Sequence, residues 1–215
     1  VVPLPYYIEV PGGAEDIRRV LKVNETEDTE AGAYQFVTVG IRHATLSHLV
    51  YAWLTPFTDI RSAKETTGGS TDAEFMRINQ FYMQTSQNMA KYQGLKTAGK
   101  DIELKYLGVY VLTVTDNSTF KGILNIADTV TAVNDKTFDS SKDLVDYVNS
   151  QQLGDTVKVT YEEDGKVKSA EGKIITLENG KNGIGIGLID RTEVTSDVPI
   201  RFSTAGIGGP SAGLM

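Results

Sequence analysis

The amino-acid sequence predicts an α+β fold, and three observations carry that prediction. One segment, residues 71–98, places apolar residues at three- and four-residue steps, the period of a helix with one buried stripe. On both sides of it, short β-branched and aromatic runs alternate with Gly, Pro, Asn and Asp, the pattern of strands joined by turns. From about residue 103 to 175 such strands enclose one short capped helix. With 215 residues the chain has room for one or two domains with cores of their own. The changes of pattern divide it at residues 1–100, 101–179 and 180–215.

In chain order, residues 6–10, 17–23 and 34–39 are candidate strands, separated by Pro11-Gly12-Gly13 and by an acidic run at 24–32. Leu46, Leu49, Val50 and Trp53 are then expected on a buried face. The long helix opens on Thr71-Asp72-Ala73-Glu74, which has the form of a capping box. Phe75, Ile78, Tyr82, Thr85, Met89 and Tyr92 form its stripe, a core-packing surface, and Gly94 and Gly99 punctuate its end. Residues 107–114 alternate as a strand, 122–138 follow, and Ser140 caps a helix running to 149 with Leu144, Val145 and Val148 on one side. Strands at 157–161 and 167–175 are joined by Glu163-Asp164-Gly165-Lys166, whose Asp-Gly step signals a hairpin. From Leu177 the chain returns to strands, and 198–202 run into a glycine-rich end.

Composition narrows the chemistry. Hydrophobic residues make up 40% and charged residues 23%, which suits a folded core. No run approaches the roughly 20 apolar residues that span a bilayer. The opening Val1-Val2-Pro3-Leu4-Pro5-Tyr6-Tyr7-Ile8 has no initiator Met. It reads either as the outer end of a removed membrane anchor, with its aromatics at the interface, or as an edge strand after two prolines. Zero Cys excludes disulfides, Cys-based zinc sites and thiol catalysis. A net charge of −7 argues against nucleic acid, which calls for a basic stripe. Within residues 101–179, eight Lys and Arg stand against 14 Asp and Glu, a balance of −6. Such a balance either serves solubility alone or, at a peptide groove, repels acidic peptides and favours neutral or basic ones.

Neither a metal site nor a cofactor is expected. Ile184-Gly185-Ile186-Gly187-Leu188 lacks the third glycine and the following helix of a dinucleotide loop. His43 and His48, the only histidines, stand five apart and cannot share a helix face as i,i+4 ligands do. A Ser-His-Asp triad would draw on them and Asp59; they read better as ordinary polar positions, because geometry and not presence defines a triad.

The final stretch, Phe202-Ser203-Thr204-Ala205-Gly206-Ile207-Gly208-Gly209-Pro210-Ser211-Ala212-Gly213-Leu214-Met215, presents Ser211 among residues too small to cover it. Glycines permit positive φ and close backbone approach, and Pro210 stiffens the turn before Ser211. Backbone amides at Gly208, Gly209 and Ala212 suit a developing oxyanion, although a plain surface turn has the same composition. The run from Gly208 to Met215 resembles the nucleophile motif of the Lon-type (S16) serine proteases, whose serine works with a lysine several tens of residues further on. This resemblance implies Ser211 as nucleophile and a lysine beyond Met215. Lys181, the last lysine here, sits in the Asn179-Gly180-Lys181-Asn182-Gly183 turn ahead of the motif and is not assigned as the base. Pro5-Tyr6-Tyr7-Ile8-Glu9-Val10-Pro11-Gly12 resembles the run that follows the membrane segment in bacterial Lon-like proteases carrying a PDZ domain. The SepM-type pheromone-processing proteases of streptococci are members of that family. Phe36-Val37-Thr38-Val39-Gly40-Ile41-Arg42-His43-Ala44-Thr45 is similar to a second run of it.

The order of elements over 101–179 resembles a bacterial PDZ domain, β-rich with one or two short helices. Asn117-Ser118-Thr119-Phe120 and Ala127-Asp128 stand where that family usually shows Ser-Pro-Ala and Gly-Asp. In PDZ domains an extended peptide adds as a strand beside the strand after a carboxylate-binding loop. The resemblance puts that loop at Tyr106-Leu107-Gly108-Val109, continuing through Tyr110, with Val145 and Val148 as groove walls. A spacer whose groove is filled internally is the plainer alternative. Together the resemblances imply an N-terminal α/β scaffold, a PDZ domain, and the start of a Lon-type peptidase domain. The implied protein is a Ser/Lys endopeptidase held at the outer face of a Gram-positive cell membrane through a removed N-terminal anchor. It would act on peptide or protein substrates, signalling pheromones among them, without cofactor or nucleic acid; a homo-oligomer is left open. The rival is a non-catalytic PDZ adaptor.

Overall fold

The computed structural model describes residues 4–204 and 206–209, and the chain divides into two units, Val1–Lys91 with Asp197–Met215 and Tyr92–Ser196. The first contains, in chain order, β1 (Tyr6–Asp16), α1 (Ile17–Val20), β2 (Leu21–Val23), β3 (Gln35–His43), α2 (Leu46–Leu54), β4 (Asp59–Ser62), α3 (Ala63–Thr67) and most of α4 (Asp72–Thr97). Pro11-Gly12-Gly13, expected to separate strands, lie inside β1. The strand survives because its register against β3 shifts between Pro11 and Ala14, a bulge that absorbs the donor proline lacks. Gly12 is required there, since a Cβ would stand 2.2 Å from Thr38 Oγ1. Residues 17–23 split into a helical turn and a short strand because Asp16 accepts from the Arg18 amide and binds its guanidinium. β1 is the middle of a three-stranded antiparallel sheet, order β3-β1-β4, with Ile8 fully buried.

α2 corrects an expectation. Its N-terminus is closed by a capping box in which the Thr45 amide donates to His48 Nδ1 at 3.2 Å. Yet no residue of the helix is buried: Leu46, Val50 and Trp53 are 73%, 57% and 84% exposed. Apolar spacing says which side chains share a face, not whether another element covers it.

α4 starts on the expected box, with the Thr71 amide donating to Glu74 Oε2 at 2.8 Å. It ends on Gly99 at φ 67°, where the Lys100 amide reaches back to Leu95 O. Gly94 is inside the helix. Phe81 and Met83 are its buried residues near mid-length, while Met89 is exposed, so burial there extends to both sides of the stripe.

The second unit continues with β5 (Ile102–Val114), β6 (Thr129–Val133), α5 (Ser141–Asn149), β7 (Thr156–Glu163), β8 (Lys166–Lys173), β9 (Ile175–Thr176), β10 (Asn182–Gly183) and β11 (Ile186–Ser196). Five strands form an antiparallel sheet in the order β11-β5-β6-β7-β8. Asp164 and Gly165 both take positive φ, 48° and 76°, the two-residue turn whose twist matches a hairpin. Ser140 Oγ accepts from the Asp143 amide and caps α5, which turns Leu144 and Val148 into a core with Val109, Val111, Phe120 and Val159. The sheet runs past residue 179. β11 pairs with β5 from Ile186↔Val114 to Ser196↔Ile102, so residues 186–196, expected to open a third region, belong to this unit. β12 (Ile200–Phe202) returns to the first unit and pairs with β2. Among the described residues no helix is long and apolar enough to cross a membrane.

Asp128 supplies a test of this core. It is 3% exposed and accepts from the Asn125 amide at 2.8 Å, but burial outweighs that bond and raises its carboxyl above the ordinary value. A folded pKa above the unfolded one means the folded state binds more protons, so stability is lost as pH rises through that interval. Asp128→Asn keeps an acceptor and removes the charge. Calorimetry at pH 7 should show a melting temperature higher by about 2–4 °C, and the gain should fade below about pH 4, where the native carboxyl is protonated in both states.

Candidate peptide-binding site

Peptide addition needs a strand with an unpaired edge. β5 has none where the sequence places the ligand. Val109 and Tyr110 pair with Val130 and Thr129 of β6 on one side and with Asp190 and Ile189 of β11 on the other. Leu107 falls at the register shift between Arg191 and Thr192. Gly108 is glycine for a packing reason: at φ 134° a Cβ would lie 2.3 Å from Val130 O. The groove expected beside Leu107, Gly108, Val109 and Tyr110 is therefore filled by the sheet itself.

The outer strands of the sheet are β11 and β8, and β11 is the one bonded to α5, through Asp190 and the Ser141 amide. The turn leading into it, Gly183-Ile184-Gly185-Ile186, has its carbonyls drawn inward: Ser118 Oγ donates to Ile184 O at 2.5 Å and the Thr115 amide to Gly185 O at 2.8 Å. Gly185 has φ 73°, and a Cβ on it would meet Thr115 Oγ1 at 2.5 Å. Buried Ser118 also accepts from the Phe120 amide, so the Asn117-Ser118-Thr119-Phe120 stretch clamps the turn.

α5 meets β11 and the turn at its two ends. The Ser141 amide donates to Asp190 Oδ1 at 2.8 Å, and Asn182 Nδ2 donates to Gln151 O at 2.8 Å. Side chains alternate along a strand, so Ile186 and Leu188 share with Asp190 the face toward α5. Both pack against the core that holds Leu144 and Val148. Of the two expected wall residues, Val148 is buried and Val145 is 37% exposed. Tyr106, opposite Thr192 in the ladder, buries its hydroxyl without a hydrogen-bond partner. Burial first, then the charges of Asp190 and Asp143, push its pKa up to about 12. A Gly-apolar-Gly-apolar run directly ahead of a strand is the sequence signal for this site, and a search for nucleotide loops passes over it.

In the first unit, the turn ahead of the serine is pinned to α4. The Gly209 amide donates to Asn79 O at 2.9 Å, and Gly208 comes so close that a Cβ would sit 3.0 Å from Asn79 Cβ. Ser211 and Ala212 lie outside the described residues. Residues 206–208 line a cavity of about 440 Å³ together with Ile41, Phe75 and a polar cluster that the sequence did not reveal. Tyr7 Oη donates to Asp72 Oδ1, His43 Nε2 bonds Asp72 Oδ2 at 2.7 Å, and the Tyr7 and His43 rings stack at 4.4 Å. The bonds from Tyr7 and then His43 hold the Asp72 carboxyl below its usual range; burial, helped by Asp72, pushes Tyr7 up to about 12. His48 caps α2 and Asp59 lies opposite Glu9 in the sheet, so His43, His48 and Asp59 hold separate local places. Lys181 is exposed in its turn, its amide bonded to Asn179 Oδ1.

Comparison with known proteins identifies the second unit. Residues 79–174 match the family model described as PDZ domain. The chain therefore carries a PDZ domain, a module that recognises peptides. Among solved structures it is similar to the PDZ domain of the SdrC-like protein from Listeria monocytogenes, with 35% identity over 40% of this chain and 93% of that one and a TM-score of 0.39. The PDZ domain of the SdrC-like protein from Listeria innocua gives 38% identity over 38% and 92%, with a TM-score of 0.36. A protein from Geobacillus thermodenitrificans gives 32% identity over 37% and 94%, with a TM-score of 0.34. No curated protein matches the chain.

Proposed function

We propose that this chain is the recognition and nucleophile-bearing part of a Lon-type serine endopeptidase, whose PDZ domain holds an extended peptide segment along β11. The observation that carries the recognition half is the unpaired edge of β11, set between the Gly183-Ile184-Gly185-Ile186 turn and α5. A peptide running antiparallel to β11 gains backbone hydrogen bonds along that edge. Its terminal carboxylate meets the amides of the glycine turn, and alternate side chains descend toward Ile186, Leu188 and Val145. Titration of the full chain with one neutral, apolar-ended peptide in free-acid and amidated forms tests this. Amidation should weaken binding by about tenfold or more, the loss of one charge-assisted hydrogen-bonding group. Equal affinities would place recognition elsewhere.

The catalytic half rests on the resemblance of residues 208–215 to the Lon-type nucleophile motif and on the hold of Asn79 on the turn ahead of it. In this reading Ser211 attacks the peptide carbonyl, the amides of Gly208 and Ala212 face the oxyanion, and a lysine kept neutral by burial takes the serine proton; the Gly209 amide, expected beside them, is instead bonded to Asn79 O and holds the turn. The resemblance of residues 5–12 to a run that follows a membrane segment supports an anchored enzyme working outside a Gram-positive cell, on peptides that include pheromones. A PDZ adaptor without catalysis is the alternative. Labelling of Ser211 by a covalent serine-hydrolase probe, in a chain carrying downstream residues, separates the two.

A further inference from the structure

We propose that Asp190 makes this groove select a positively charged side chain at the fifth residue of the bound peptide, counted back from its C-terminus. The inference rests on the reading of β11 as the peptide edge. A peptide that sets its last residue opposite Ile186 and runs antiparallel brings its third residue from the end opposite Leu188 and its fifth opposite Asp190. Those three side chains point to one face, because a strand repeats every two residues. The first two meet an apolar floor and the Val145 wall. The fifth meets a carboxylate.

That carboxylate has no cation of its own among the described residues. Asp190 Oδ1 accepts from the Ser141 amide, and the basic side chains nearby in the fold are engaged elsewhere. Lys142 bonds Asp146, and Lys136 lies over the rings of Phe138 and Tyr147. Arg191, on the opposite face of the strand, donates to Thr129 at 2.7 Å and lies 3.7 Å from Glu162. Asp143 adds a second negative charge one turn into α5 and is held there by Ser140. The buried Tyr106 hydroxyl, near both in the fold, has no protein partner, so the neighbourhood holds an unmet polar atom as well as unmet charge. The N-terminus of α5 offsets part of that charge. The selectivity is therefore moderate: a Lys at the fifth position should bind roughly five- to tenfold more tightly than a Glu there.

The experiment titrates the full chain with four peptides that share one apolar end: neutral at the fifth position, Lys at the fifth, Glu at the fifth, and Lys at the fourth. Affinity should rank fifth-position Lys, then neutral, then Glu. Lys at the fourth position should resemble the neutral peptide, because that side chain faces away from α5. The Lys-to-Glu ratio should shrink toward one in Asp190→Asn, which keeps an acceptor for the Ser141 amide, and in the native chain at 0.5 M salt, a readout that needs no variant. If the neutral peptide binds but Lys and Glu bind alike, the selection is overturned and the β11 edge stands. A Lys preference that persists in folded Asp190→Asn removes the assignment to Asp190. If none of the four binds, both readings fall.

Discussion

Replacing Phe120 with alanine is expected to lower the stability of the second unit by about 3–5 kcal/mol, measured as a shifted midpoint in denaturant unfolding of the full chain. Phe120 is fully buried and heads the large side chains of that core. Its ring fills space that the neighbouring strand leaves for it: a Cβ on Gly172 would come within 2.5 Å of the Phe120 ring. Truncation therefore removes apolar contact and leaves a void that the closely packed strands are slow to fill. The void would open beside Ser118, which bonds both the Phe120 amide and Ile184 O, so peptide binding should weaken along with stability. Val167→Ala, at a residue 73% exposed, is the control and should change the midpoint by less than about 0.5 kcal/mol. A loss below about 1 kcal/mol for Phe120→Ala would contradict the packing of this core.

In a chain extended through the lysine expected beyond Met215, Ser211→Ala should reduce peptide hydrolysis by on the order of 10⁴-fold or more and leave the melting temperature nearly unchanged. The 215 residues alone should hydrolyse nothing. A serine hydroxyl is a poor nucleophile at neutral pH until an adjacent base takes its proton. The two histidines and the last lysine hold other posts: His43 is bonded to Asp72, His48 closes a helix cap, and Lys181 lies in an exposed turn. Undiminished cleavage by the mutant, with contaminating protease excluded, would remove Ser211 from the mechanism. His43 and Asp72, which border the same cavity as the serine turn, would then be the first groups to substitute.

Local chemistry was legible in the sequence. The Thr71-to-Glu74 box, the Ser140 cap and the Asp164-Gly165 turn each act within a few residues, and each stands where its residue types require. What the sequence hid is the choice of partners across the chain. Two glycine-bearing runs, at 107–110 and 183–186, each lead along a strand, and only the ladder shows that the first is paired on both sides while the second opens onto an edge. His43 finds Asp72 across 29 positions, and no spacing rule joins them. In α2 the apolar period was real, but its burial was inferred from composition alone, and Trp53 stands in solvent.

The pairing of β2 with β12 also sets an order of events in the cell. Val23 emerges from the ribosome with its short strand complete, and its partner Ile200 follows only after the whole Tyr92–Ser196 unit has been translated. At typical synthesis speeds that interval is on the order of ten to forty seconds. The strand that completes the second unit's sheet, β11, ends at Ser196, just four residues ahead of Ile200, so the second unit can close its sheet only as the partner of β2 arrives, and the first unit must keep β2 waiting throughout. Chaperones that shield short unpaired strands during translation would thus act on residues 21–23, and a second unit slow to fold would lengthen the time that they stay exposed.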